Sequence, residues 1–413
     1  MNNAFLERYA DVLLEAVNLQ KGQCLLVRSE PIHARFAGIL ARRAYIRGAR
    51  YVRFDQNEVE NPYLYEARIG HSREEYLDYV PPFRVKMMEE MIADGWALIA
   101  IKSPEDPDML ERLDQGRNAR CAKATAIAMK DVSTRISSNE IAWLVAFLPS
   151  ERLAAKIMGM DAGPEAVEAL WKVLIPILHL DRDDPAASFR AHSEGLAARA
   201  ARLNSLRLDG LRFKGPGTDL FVGLSPASVW RGGPDVTKGG VPFNPNLPTE
   251  EVFTSPDWRR TEGVVRFTMP VLIPSIGKIV RGGWLRFEGG VAADWGAESG
   301  KDALDAYFSI DPSAKRLGEV ALVDAGSPIA KAGRCFYNIL LDENASCHIA
   351  LGSSYESCLK GGESLSKEEK EALGANDSPV HTDFMIGGPE VSVVGLLPGG
   401  KEAPIIEKGD FVL

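Results

Sequence analysis

The segment HTDFMIG, residues 381–387, sets an imidazole and a carboxylate two positions apart at the head of an apolar run. In a β-strand, side chains at i and i+2 leave the same face, so His381 and Asp383 would converge on one patch of space, an arrangement that suits a metal ion. An isolated H-x-D is more often a histidine oriented by an aspartate at a sheet surface, so further donors are needed before the pair carries chemistry. Six histidines are available, at 33, 71, 179, 192, 348 and 381. The first four lie in helical surroundings without acid motifs and read as structural or surface residues. His348 and His381 both come with carboxylates.

His348 belongs to FYNILLDENASCHIALGSSY (336–355), where an apolar run gives way to Asp342, Glu343 and Asn344 and a glycine-serine loop ends in Tyr355. Upstream, NPNLPTEEVFTSPD (244–257) holds the adjacent Glu250 and Glu251 in a loop-to-strand context, and RLGEVALVD (316–324) sets Glu319 at the mouth of a strongly apolar strand. A glutamate entering a buried strand is costly unless it is paired or bound to a cation. Singly, each acid is more often a solvated edge residue. Together with two imidazoles, and with no cysteine needed, they form the donor mix of two catalytic divalent metals rather than a closed structural zinc. The absence of H-E-x-x-H disfavours a single-zinc, helix-borne protease site.

The elements that must position these groups change character along the chain. The first half alternates helical periodicity with short apolar runs: FLERYADVLLEAV, QCLLVRS, RFAGILARRAYIRG, ARYVRF, EEMIADG, WALIAIKS and EIAWLVAFLPS. Strands apolar throughout, alternating with helices, predict an open parallel α/β layer covered on both faces. Neither G-x-G-x-x-G nor G-x-x-x-x-G-K-[ST] is present, so a dinucleotide or ATP site is not supported. Near residue 207 glycine, proline and short alternating runs take over, as in LRLDGLRFKG, GVVRFTMPVLI and GKIVRGGWLRFEGGVAADWG. These predict a mostly antiparallel, barrel-like β domain. The expected organisation is an α/β domain over 1–206 and a β-rich catalytic domain over 207–413. The charge-dense SLSKEEKEALG (364–374) reads as a solvated helical turn or loop insert.

A chain of 413 residues exceeds what one core usually organises, roughly 250–300 residues. Apolar residues at 45% and charged residues at 25% are those of a folded globular chain. A net charge of −9 disfavours nucleic acid as a partner, since gripping phosphate needs clustered Lys and Arg. LWKVLIPILHL (170–180) is too short and too interrupted to span a membrane. The amphipathic start, with Glu7, Arg8 and Asp11, is unlike a secretory signal, so a cytoplasmic location is expected. Five cysteines without a C-x-x-C pair read as reduced packing residues.

Four ordered blocks, PTEEVFT, LGEVALV, DENASCHIALG followed by Tyr355, and HTDFMIG, resemble those of the thermophilic-type metallo-aminopeptidases, the family of aminopeptidase T, aminopeptidase S and PepS. The resemblance implies that Glu251, Glu319, Glu343, His348, His381 and Asp383 hold two divalent metal ions per subunit, with zinc, cobalt, manganese and magnesium all compatible with such donors. In PTEE either glutamate could be the ligand. Glu251 is preferred, because relatives often carry glycine at the position of Glu250. Tyr355 matches the family's catalytic tyrosine, the expected donor to the tetrahedral oxyanion, and Glu319 is expected to serve also as proton acceptor. The implied activity is hydrolysis of the first peptide bond of peptides with a free N-terminus by a metal-activated water. The implied assembly is a homodimer whose first domain shields the site. Two alternatives stand beside this reading: a dipeptidase or other dinuclear amidase, and a catalytically silent peptide-binding protein of the same fold.

Overall fold

The computed structural model describes residues 3–55, 61–273 and 275–413. Two compact units are present, one formed by Met1–His192 with Pro234–Pro248, the other by Ser193–Gly233 with Thr249–Leu413. The division falls inside the helix Pro185–Leu206, fourteen residues before the change of sequence character at 207, and a short segment from the later half returns to the first unit. Among the described residues no helix is long and apolar enough to cross a membrane, and the five cysteines are free thiols.

The first unit is built on a parallel sheet with the strand order Tyr51–Asp55, Cys24–Arg28, Ala97–Ile101, Trp143–Ala146 and Asn246–Leu247. Its central strand, ALIAI, is buried at every position, as the unbroken apolar run requires. Leu26 and Leu98 pack with Met88, Met91 and Ile92 of helix Pro82–Ala93 and with Val132 of helix Lys130–Ser137. Helix Asn3–Ala16 buries Tyr9, Val12, Leu13 and Leu14 at helical spacing, and the Tyr9 hydroxyl donates to the Phe147 carbonyl at 2.6 Å. The last strand of this sheet is the returning segment, which the alternation of the first half does not announce.

The second unit holds two antiparallel sheets. The larger has eight strands in the order Val291–Gly296, Trp284–Glu288, Pro256–Arg266, Thr218–Leu224, Gly210–Gly215, Ser392–Leu396, Glu402–Glu407 and Asp410–Phe411. Its first and last strands do not pair with each other among the described residues, so it is an open sheet where a barrel-like one was expected. The smaller sheet has the order Glu251–Thr254, Leu317–Val323, His348–Gly352 and His381–Met385. One core joins the two: Leu211, Phe213, Val222 and Val265 from the larger sheet cluster with Val252, Val320, Leu322, Ile349, Leu351 and Phe384 from the smaller. The charge-dense segment forms a short helix, Lys367–Ala372, whose Ser366 and Glu369 make a reciprocal capping box and whose side chains stay out of the core.

Candidate metal centre

The four-stranded sheet has two faces, and the period of two assigns every residue to one of them. Val252, Val320, Leu322, Ile349, Leu351 and Phe384 face the core. Glu251, Glu319, His348, His381 and Asp383 alternate with them and therefore share the opposite face. Register completes the convergence: His348 pairs with Ala321, Asp383 with Ala350 beside Glu319, and His381 with Gly352. Glu319, His348, Asp383 and His381 thus each have an alanine or glycine as a cross-strand partner, which leaves room for their side chains to reach one another. Gly352 adopts φ +112°, and a Cβ there would lie 2.0 Å from the Val380 carbonyl oxygen, so the close approach of the His381 strand requires glycine.

Two donor sets result. Glu251, Glu319 and His348 form one, and Glu319, His381 and Asp383 form the other, each with ligand atoms within 4.8 Å of one another. Glu319 is common to both. His348 Nε2 lies 3.2 Å from Glu251 Oε2, 3.8 Å from Glu319 Oε1 and 4.0 Å from Asp383 Oδ1. His381 Nε2 lies 3.2 Å from Glu319 Oε2 and 3.5 Å from Asp383 Oδ1. Glu250, which precedes the strand, belongs to neither set; Arg199, Asp324 and Lys331 are the charged groups whose fields it feels.

Both imidazoles are oriented from behind. Ser346 O lies 3.2 Å from His348 Nδ1 and Ser353 O lies 2.8 Å from His381 Nδ1. A carbonyl can only accept, so Nδ1 carries the proton in each ring and Nε2 is turned toward the acids, the tautomer a metal-binding histidine needs. The sequence held no side-chain signal for this, because backbone carbonyls do the orienting.

Electrostatics shows what the face lacks. Burial alone would lower the pKa of His348, but its hydrogen bonds to Glu251 and Glu319 and the fields of Glu251 and Asp383 hold it well above the usual imidazole value. His381 is raised in the same way, burial being outweighed by Asp383 and Glu319. Burial, then the neighbouring acids, pushes Glu343 well above the usual carboxylate range, and burial raises Glu251. Asp383 alone is lowered: His381 and His348 overcome its burial. Among the described residues, Glu251, Glu319, Glu343 and Asp383 have no Lys or Arg ion-pair partner; their cationic neighbours are the two imidazoles. Four acids against two histidines on a buried face are favourable only with added positive charge or bound protons. The donor set, oxygen with imidazole nitrogen, fits divalent metal.

Glu343 stands beside both sets rather than within either, on the turn Glu343–Ala345. Asp342, its neighbour, is occupied elsewhere: its carboxylate accepts from the N–H groups of Phe336 at 2.6 Å and Asn338 at 3.1 Å, and burial raises its pKa to about 6. Tyr355 packs its ring against His381 at 4.9 Å between centroids and against Phe253 at 5.8 Å. The residue keeps 44% of its surface in solvent, whereas desolvation and then the fields of Glu319, Asp383, Glu343 and Glu251 raise its pKa well above the usual phenol value. A ring with an open flank and a hydroxyl turned inward among the acids satisfies both observations. Five of the six carboxylate and imidazole groups singled out in the sequence therefore share one sheet face, with Glu343 and Tyr355 beside it.

The chain has counterparts among known proteins in both sequence and fold. The thermophilic metalloprotease (M29) family model matches residues 2–411. Aminopeptidase 2 of Geobacillus stearothermophilus is 37% identical over 407 residues, covering 98% of this chain and 97% of its own. Aminopeptidase T of Thermus aquaticus is 39% identical, covering 99% and 98% respectively. The solved structure of wild-type AmpT from Thermus thermophilus superposes with a TM-score of 0.92 at 37% identity, covering 99% of both chains. With matches of this extent to both sequence and structure, the chain belongs to the M29 family of thermophilic metalloproteases.

Proposed function

We propose that this chain is a metal-dependent aminopeptidase that releases the first residue of peptides through two divalent ions. The observation that carries the reading is the pair of donor sets sharing Glu319; the aminopeptidase names of its relatives support it. Glu251 and His348 would hold one ion, His381 and Asp383 the other, with Glu319 between them and Glu343 completing the shell. When bound, the metal supplies Lewis acidity, acidifying water and polarising a carbonyl.

The remaining steps belong to the chain itself. Glu319 stands between the two imidazoles, with Oε2 3.2 Å from His381 and Oε1 3.8 Å from His348, and is the carboxylate placed to take a proton from attacking water and return it to the leaving amine. Tyr355, whose phenol is raised above its usual pKa by burial, donates a hydrogen bond to the tetrahedral oxyanion.

The test is hydrolysis of aminoacyl anilides and tripeptides by metal-stripped protein before and after addition of zinc, cobalt, manganese or magnesium, with bound metal counted. Activity restored at about two ions per chain and confined to substrates with a free amine is the expected result. Activity on dipeptides alone would indicate a dipeptidase, and metal binding without turnover a silent peptide-binding protein.

A further inference from the structure

Asn344 has no part in the chemistry above, yet it is fully buried between two acids of the centre. Its Oδ1 accepts the N–H of Glu250 at 2.7 Å. Its Nδ2 donates to the Leu340 carbonyl at 2.9 Å and faces Glu343 Oε1 at 3.4 Å. One side chain thus joins the backbone immediately before Glu251 to the turn that carries Glu343.

The need for such a joint follows from topology. Glu251–Thr254 is the outer strand of its sheet, and Glu251 is its terminal residue, paired with Val323. An isolated bridge to Arg231 steadies Phe253, in the middle of the strand. Toward its start, the sequence enters from the other unit at Pro248, and the amide of Asn344 accepts the Glu250 N–H there. Glu343 likewise stands on a three-residue turn, not on a strand.

We propose that Asn344 is the positioning residue of the metal centre, fixing Glu251 and Glu343 relative to each other before any ion arrives. The proposal rests on the reading of those two glutamates as metal-holding groups. The amide chemistry suits the task. A side chain here must accept from one backbone and donate to another, which Asn does and carboxylate does not. An aspartate would also add a negative charge beside Glu343. Serine is too short to span both partners, and glutamine would overfill a fully buried site.

The experiment compares metal-stripped wild type, Asn344→Ala and a control, Asn204→Ala, which removes two backbone hydrogen bonds to Trp230, of 2.9 and 3.0 Å, in the same unit. Cobalt(II) affinity is measured by chelator competition and its visible absorption recorded; thermal midpoints of the metal-free forms report ordinary loss of stability. Asn344→Ala is expected to bind cobalt about tenfold to hundredfold more weakly, the range for outer-shell partners of a metal site, with an altered absorption band. Asn204→Ala is expected to match wild type in both. Equal affinity and spectrum in Asn344→Ala and wild type overturns the proposal while leaving the metal centre intact. Failure of wild type to bind cobalt or any other divalent ion overturns the metal reading and the proposal with it. Should Asn344→Ala not fold, amide exchange in metal-free wild type decides. Protection of the Glu250 N–H comparable to the neighbouring sheet supports pre-positioning, and exchange at the rate of an open loop refutes it.

Discussion

Replacing Tyr355 by phenylalanine removes one hydroxyl and leaves the ring where it is. The ring's contacts with His381 and Phe253 are between faces and edges, and the residue's hydrogen bonds run through its carbonyl, which accepts from Ser255 Oγ and the Cys358 N–H, both at 3.1 Å. Folding stability should therefore change by no more than about 0.5 kcal/mol, and bound metal should be unchanged. Turnover is another matter. A single oxyanion donor is worth about 2.7–4 kcal/mol in the transition state, or about 10²–10³ in kcat. Because the donor acts on charge that develops only there, kcat and kcat/KM should fall together with KM constant. The assay is steady-state hydrolysis of an aminoacyl anilide at saturating metal, with metal content and thermal midpoint measured on the same preparation. A variant within about twofold of wild-type kcat would refute the role, and a variant that lost metal would show that Tyr355 acts on the ligands instead.

Three further outcomes are expected. Glu251→Gln should weaken metal binding by about a hundredfold or more, since it removes one partner of a buried charged network, whereas Glu250→Gln should retain metal; equal effects would contradict the assignment of Glu251 rather than Glu250 to the donor set. Gly352→Ala should cost about 2–4 kcal/mol through the clash at the Val380 carbonyl and the left-handed φ, measured by denaturant unfolding, and an unstrained variant would mean that the His381 strand does not need this approach. Burial, and secondarily His192, lowers the His179 pKa to about 4. A depressed histidine contributes stability above pH 6.5 that is lost as pH falls toward about 4, here about 1–2 kcal/mol after discounting for the partly exposed ring. His179→Asn, which tolerates the φ of 55° found there, should flatten that acid limb, and an unaltered pH profile of the thermal midpoint would remove His179 as its source.

The sequence displayed its chemistry wherever local rules act. His381 and Asp383 could be paired because a strand returns to the same face every second residue, and Glu319 stood out because an acid inside LGEVALV has no local reason to be there. Helix-strand alternation identified the parallel layer for the same reason: Ala97–Ile101 and Cys24–Arg28 are apolar throughout. What local rules do not contain is which strands become neighbours. The strand Asn246–Leu247 joins a sheet whose other members end at Ala146, and no periodicity near 246 announces it. Strand patterns likewise do not distinguish an open eight-stranded sheet from a closed one, because closure is a property of the two edge strands only. The choice between Glu250 and Glu251 needed the register against Val323, and Asn344 looked like one polar residue among several in DEN until its distant partner, the Glu250 N–H, joined its local ones, Leu340 and Glu343.

The shared Glu319 has a consequence for how the centre fills. On the two-ion reading proposed above, its two oxygens answer to different imidazoles, so an ion entering either set would withdraw negative charge from the other and at the same time fix the carboxylate that the other requires. Those influences oppose each other, one electrostatic and one entropic, so the two occupancies are thermodynamically linked. A titration of the stripped protein should show that the affinity for the second ion depends on the first, a dependence that runs through a single carbon, the Cδ of Glu319, to which both oxygens are attached.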